Sequence, residues 1–192
     1  MTQLLPIAPP AWPLTAVSYT SPAARDLTWC LYREQIDTYG TADDPQATEA
    51  AEFDRPHGLF LIMSGPDGRA IACGGWRTAG PAVAEIKRMF VARPARGEGL
   101  GGHVLGALER DASAHGMTTA ILETGVNNHA AIALYTRFGY NSTLPYAAGR
   151  DPLINRAFRK TLTDSRARSS SAFHDRAAAS AADIDSRHSA AC

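Results

Sequence analysis

Arg96-Gly97-Glu98-Gly99-Leu100-Gly101-Gly102 lies between an apolar run, Ile86 to Val91, and a stretch patterned as a helix. Four glycines in six residues leave the backbone without Cβ atoms, so its N–H groups are able to close around an anion. The helix that follows aims the positive end of its dipole at the same point. The combination reads as a pyrophosphate cradle. As letters, Gly97-x-Gly99-x-x-Gly102 also satisfies the dinucleotide fingerprint, and Glu123 stands about 20 residues on, where a ribose-binding acid is expected. That reading is rejected on two grounds. In a dinucleotide fold the first glycine follows its strand almost directly, whereas Ala92-Arg93-Pro94-Ala95-Arg96 intervenes here. Too little chain remains after Gly125 for the further strand–helix units such a fold needs. A Walker A loop is excluded because no Gly-Lys-Ser/Thr follows.

The sequence has 192 residues, room for one domain with a substantial core. Lys plus Arg number 19, equal to Asp plus Glu, so no global field points to nucleic acid or to an acidic membrane surface. No apolar run is long enough to span a bilayer. Met1 to Pro13 lacks a basic start followed by an apolar stretch, so no signal peptide is expected. Cys30, Cys73 and Cys192 are odd in number and show no metal spacing, which suits core thiols, a tail residue and a reducing cytoplasm.

Along the chain, residues 1–13 read as a flexible lead-in rich in Pro and Ala, residues 14–162 as one domain, and residues 163–192 as a disordered tail of Ser, Ala, Arg and Asp. Within the domain, Leu14 to Tyr19 alternates as a strand. Ala23 to Tyr39 carries Leu27, Cys30, Leu31 and Ile36 at helical spacing and stops at Gly40. Asp44-Pro45 opens a second helix through Phe53, with Asp at the cap and Pro at the first position. Gly58 to Met63, Ala70 to Trp76 and Val83 to Val91 form three antiparallel strands joined by Gly- and Pro-rich turns. After the glycine loop come a helix ending at Gly116, a strand from Thr118 to Glu123, and a helix capped by Asn127 or Asn128. Tyr140 to Ala147 and Ile154 to Leu162 close the domain as an antiparallel pair.

The segment Asn128-His129-Ala130-Ala131-Ile132-Ala133-Leu134-Tyr135-Thr136-Arg137-Phe138-Gly139-Tyr140 adds a second motif. Together with the loop it resembles the GNAT superfamily of acyl-CoA-dependent N-acyltransferases. The family's Arg/Gln-x-x-Gly-x-Gly loop matches Arg96, Gly99 and Gly101. Its Asn-x-x-Ala-x-x-Leu-Tyr-x-x-x-Gly-Phe segment matches Asn128, Ala131, Leu134, Tyr135 and Gly139, with Tyr140 in place of the final Phe. Glu85-Ile86-Lys87-Arg88-Met89-Phe90-Val91 is similar to the Glu-Leu-Lys-Arg-Met-Tyr-Val strand of one bacterial branch. The resemblance implies an α/β (α+β) fold: a mixed, mostly antiparallel sheet of about seven strands flanked by four helices. Its central fourth and fifth strands are parallel and splayed, with acyl-CoA in the gap.

The resemblance also implies roles. The N–H groups of Gly97, Glu98, Gly99, Leu100, Gly101 and Gly102 would hold the diphosphate of acetyl-CoA, with Arg96 and Arg93 adding charge. Backbone groups of Met89, Phe90 and Val91 would pair with the pantetheine arm as an added strand, and one of their N–H groups would polarise the carbonyl. Asn128 would contact the CoA side of the cleft. Tyr135, seven positions or about two turns further, would protonate the departing thiolate. An alkylamine has a pKa near 10.4, so a base is needed to free its lone pair. Glu123 and Glu85 compete for that role, each also readable as an ion-pair partner of Lys87 or Arg88. No metal is implied, and direct transfer in a ternary complex is expected. The acceptor is expected to be a small-molecule or amino-acid-like amine. An acidic run from Asp37 to Asp54 would favour a cationic one by steering. Alternatives are a protein N-terminal or lysine acetyltransferase, or a non-catalytic CoA-binding module. The expected oligomeric state is a monomer or homodimer.

Overall fold

The structure, a computed structural model, describes residues 12–147 and 151–163. The expectations for residues 1–11 of the lead-in and for the tail from residue 164 onward lie outside the described residues. Strands β1 (Leu14–Ala16), β2 (Gly58–Ser64), β3 (Ala70–Gly80), β4 (Val83–Val91), β5 (Thr119–Gly125), β6 (Asn141–Thr143) and β7 (Asn155–Thr161) build one sheet in the order β1-β2-β3-β4-β5-β7-β6. Helices α1 (Pro22–Tyr39), α2 (Leu100–Ala114) and α3 (His129–Arg137) flank it. Only β4 and β5 run parallel, and α2 is the crossover that parallel neighbours require. The expected mixed, mostly antiparallel sheet is therefore present.

Local chemistry accounts for most of the boundaries. The Ser21 side chain accepts from the Ala24 N–H at the start of α1, where Pro22 needs no donor partner. Gly40 ends that helix at φ 71°, with its N–H donating to Ile36 O at 2.8 Å. Alternation along the strands sorts two apolar layers. Met63, Trp76 and Ile86 pack against Val104, Leu105 and Leu108 of α2, whereas Phe60, Cys73 and Phe90 pack with Leu27 of α1 and with Phe53.

Three expectations change. The strand expected from Leu14 to Tyr19 is formed only over Leu14–Ala16. The helix expected from Asp44 to Phe53 is a pair of 3-10 turns, Pro45–Ala47 and Ala50–Phe53. Its start is as read, since Asp44 Oδ1 accepts from Gln46 N at 2.8 Å. It does not propagate because the Arg88 side chain reaches in from β4. Arg88 donates to Asp43 O at 3.1 Å, to Asp44 O at 3.4 Å and to Thr48 Oγ1 at 2.7 Å. The helical elements among the described residues are thus three α-helices, these two turns and a third 3-10 turn at Arg93–Ala95. The strand expected from Tyr140 to Ala147 keeps its ladder only over Asn141–Thr143, paired with β7. Pro145 cannot donate to a ladder, and Leu144–Ala147 leave the sheet.

The feature that positions the site is in β4. Cys73 pairs with Phe90 and Gly75 with Lys87, so two steps on β3 face three on β4. The extra residue makes a bulge, with Arg88 at φ 58°. On the other side, pairing with β5 covers only Val83–Glu85 against Thr119–Ile121. Beyond it β4 and β5 separate.

Arg88 is buried and donates to three oxygens of the 43–48 segment. Replacing it with Met leaves those acceptors without their donor. We expect Arg88→Met to lower the unfolding free energy by about 2–3 kcal/mol in urea titrations. Arg88→Lys should recover little, since one ammonium does not span the planar fork's acceptors. A variant as stable as the parent would remove Arg88 from this role.

Candidate active site

The gap between β4 and β5 opens into a cavity of about 550 Å³. Its wall carries Glu85, Met89, Phe90, Val91, Arg96, Glu123, Asn128 and Tyr135, together with Gly97, Gly99, Leu100, Gly101 and Gly102. The sequence-predicted residues thus converge, with two exceptions: the exposed Glu98 side chain and Arg93 do not line the cavity.

At one end, α2 begins at Leu100 with Gly99 as its cap at φ 79°, and Gly97 is at φ 89°. Side chains rarely adopt this left-handed conformation, so these two positions call for glycine. Among the described residues the N–H groups of Gly97, Glu98, Gly99, Leu100 and Gly101 have no acceptor. Five unpartnered amides at a helix mouth suit an anion. Gly102 differs, because its N–H already donates to Gly99 O at 3.0 Å. Its lack of a side chain serves packing instead, since a Cβ there would sit 2.9 Å from the Phe138 ring. Asn128 Oδ1 accepts from Ala131 N at 3.2 Å, so this residue both caps α3 and lines the cavity. Tyr135 is buried, with its ring 5.8 Å from Tyr140 and 6.1 Å from Phe158. Burial pushes its phenol above the ordinary value.

The arginines expected beside the phosphates are tied to α1. Arg96 Nη2 lies 2.9 and 2.8 Å from the two oxygens of Glu34, and Arg93 Nε lies 3.0 Å from Oε1. Arg96 Nε also donates to Val91 O at 2.8 Å. Arg96 remains on the cavity wall and Arg93 does not.

At the other end stand the carboxylates. Glu85 is buried, and Arg77 holds its Oε2 through Nε and Nη2, each at 2.7 Å. Arg77 also bridges to Glu52. Lys87 Nζ is 3.5 Å from Glu85 Oε1. Of the two ion-pair partners considered for Glu85, Lys87 is therefore a loose one, and Arg88 points to the 43–48 segment instead. Glu123 Oε1 accepts from the backbone N–H of Tyr146 at 3.3 Å and of Ala147 at 3.4 Å. The Tyr146 hydroxyl donates to Glu85 Oε1 at 3.1 Å. Tyr146 thus straps both carboxylates, a role hidden by reading it as a strand residue; Pro145 was the available signal. Of the acidic run, Asp43 lines the cavity, Glu52 is engaged by Arg77, and the Asp44 carboxylate caps its turn. The buried Cys73 thiol donates to Arg88 O at 3.4 Å and is a core group.

Residues 22–140 match the sequence model of the Acetyltransferase (GNAT) family. An IAA acetyltransferase of Azospirillum brasilense is 33% identical over 127 residues, which span 62% of this chain and 82% of that protein. An uncharacterized N-acetyltransferase of Schizosaccharomyces pombe is 29% identical over 110 residues, 57% of this chain and 68% of the relative. A solved Klebsiella pneumoniae structure, described as an acyl-CoA N-acyltransferase, superposes with a TM-score of 0.66 at 29% identity. The superposition covers 79% of this chain and 98% of the other.

The Glu34 tie has a pH signature. Burial works to raise its pKa, but hydrogen bonds and charge from Arg96 and Arg93 outweigh burial and hold it below the ordinary 4.5. A carboxylate lowered on folding contributes stability above its unfolded pKa and loses it as pH falls through the folded one. Glu34→Gln should melt about 2–4 °C lower at most at pH 7, since the pair is partly exposed. That gap should close as the pH is brought well below 4.5. A gap independent of pH would assign the effect to packing.

Proposed function

Given that the chain belongs to the GNAT family of acetyltransferases, we propose that it transfers an acetyl group from acetyl-CoA to the amine of a small-molecule acceptor within a ternary complex. The observation that carries this reading is the joining of two features in one cavity. Five unpartnered amides stand at the α2 mouth, and two carboxylates stand at the far end of the same gap. Acetyl-CoA supplies the acetyl thioester. The N–H groups from Gly97 to Gly101 hold its diphosphate, and the open edge of β4 around Met89 to Val91 orients the arm. The acceptor ammonium gives up one proton to Glu123, and its freed nitrogen attacks the thioester carbon; the second nitrogen proton replaces the one that Tyr135 gives to the thiolate. The N–C bond forms, the C–S bond breaks, and the thiolate takes a proton from Tyr135, leaving an amide and a free thiol.

The base assignment to Glu123 is supported by what holds Glu85. A proton on Glu85 would dismantle the Arg77 pair, so Glu85 serves as a positioning residue for Arg77 and the Glu52 turn. Burial keeps the Tyr135 phenol protonated, which suits a donor. A small acceptor is favoured by the Tyr146 strap over both carboxylates. The reading places the enzyme among cytoplasmic proteins that act on small molecules rather than on nucleic acid or membranes.

Free-thiol release from acetyl-CoA, screened across amines, amino acids and N-terminal peptides, tests the reading. Glu123→Gln should lower kcat by about 10²-fold or more, and Tyr135→Phe should also act on kcat. Glu85→Gln should act mainly on KM and thermal stability. Full turnover in Glu123→Gln would discard the base assignment, and thiol release with peptides but no free amine would discard the small acceptor. Because burial raises the Tyr135 phenol above about 10, its ionisation should leave kcat undiminished up to about that pH. An alkaline limb that falls earlier and disappears in Tyr135→Phe would contradict this.

A further inference from the structure

The acceptor end of the cavity holds a cation that the transfer step does not use. Lys87 lines the cavity two residues along β4 from Glu85. Its side chain is only 20% exposed, and its contact with a carboxylate is the 3.5 Å approach to Glu85 Oε1. It makes no hydrogen bond among the described residues. Glu85 is already satisfied by the forked contact from Arg77 and by the Tyr146 hydroxyl. A largely covered ammonium with three donors and no close acceptor is poorly solvated. An incoming anion would correct that.

The register says where such an anion would sit. Glu85 pairs with Ile121 in the parallel ladder, so two residues further Lys87 and Glu123 stand on the same face of the sheet. This is where β4 and β5 begin to part, with a positive group on one lip of the gap and a negative group on the other. A further donor lies beside the end of β5. Among the described residues the buried Tyr39 hydroxyl on the same wall has no partner, and a Cβ on Gly125 would lie 2.1 Å from it. A buried hydroxyl left unpaired is costly, and a ligand oxygen offsets the cost. An acceptor with an amine alone would bring its ammonium near Lys87 and leave the Lys87 ammonium itself without a close anionic partner from the ligand.

We propose that the acceptor carries a carboxylate close to its amine, as an α-amino acid does. Lys87 binds this carboxylate, Tyr39 donates to it, and the amine faces Glu123 across the gap. The proposal rests on the acetyl-transfer reading above and narrows its substrate class.

The test pairs each of glycine, L-methionine, L-phenylalanine, L-glutamate and L-lysine with its carboxamide and its decarboxylated amine. Free-thiol release from acetyl-CoA is measured for the parent enzyme, Lys87→Met, Lys87→Arg and Tyr39→Phe. At least one amino acid should be preferred over its carboxamide by about tenfold or more in kcat/KM, the scale of one charge-assisted contact. Lys87→Met should remove that preference through KM, and Lys87→Arg should restore part of it. Tyr39→Phe should weaken the preference, while acetyl-CoA affinity and melting temperature stay unchanged in Lys87→Met. Carboxamides or simple amines used as well as the acids, or a preference that survives Lys87→Met, would overturn the proposal and leave acetyl transfer standing. If no acceptor releases thiol, it is the transfer reading that fails. Calorimetric titration of the same amino acids into protein saturated with CoA then decides the subsite. Heat that Lys87→Met abolishes supports it, and no heat with the parent overturns it.

Discussion

One extra residue on β4 forces the sheet apart, and the site exists because of it. Between the Cys73–Phe90 and Gly75–Lys87 pairs, β4 spends one residue more than β3. The surplus is taken up by Arg88 in a left-handed conformation that side chains rarely adopt. Strand β5 does not follow the bend, because it is paired with β7 along its whole length from Thr119 to Gly125. With one strand bent away and the other held straight, the parallel ladder ends at Glu85 and Ile121. The backbone edge of β4 past that point is left facing a cavity instead of a neighbour. The conformational cost at Arg88 is offset by its own side chain, whose hydrogen bonds to Asp43, Asp44 and Thr48 fold the next wall against the bulge. The residue that opens the gap also fixes what borders it.

Arginine forks serve as ties around this opening. Arg93 and Arg96 fasten the glycine loop to Glu34 of α1, and Arg77 fastens Glu85 of β4 to Glu52 of the second 3-10 turn. A guanidinium is suited to such ties because its planar donors engage two acceptors at once without losing charge. The acidic run between α1 and β2 is consequently less of an open negative rim than its composition suggests. Its Glu52 is spent on Arg77 and its Asp44 on a turn, and Asp43 is the member that reaches the cavity wall.

What the sequence made legible follows the range of the forces involved. Caps, alternation and the glycine loop are signals within a few residues, so α1, β2 to β5, α2 and α3 could be read, while the convergence of Glu85, Glu123, Asn128 and Tyr135 came from the resemblance to the GNAT family. The features that escaped depend on partners far along the chain. The helix after Asp44 has a sound local start and fails because Arg88, some 40 positions away, engages its carbonyls. Tyr146 finds Glu85 and Glu123 only once β6 has ended early. Arg96 had the composition of a phosphate ligand, and nothing near it in sequence announced Glu34.

One cross-strand pair sets the two glutamates apart. Gly80 pairs with Val83 at the tip of the β3–β4 hairpin, and a register shift between Thr78 and Gly80 then brings Arg77 directly opposite Glu85. Opposite charges at facing positions pair across an antiparallel ladder. Glu85 is thereby committed before any substrate arrives: protonating it would strand a guanidinium that also carries Glu52. Glu123 lies on β5, across the gap from Lys87, and its Oε1 accepts from the backbone N–H groups of Tyr146 and Ala147 at 3.3 and 3.4 Å. The same residue type on two facing strands thus meets two surroundings: Glu85 is gripped by an arginine fork, and Glu123 accepts from the backbone of the segment that follows β6.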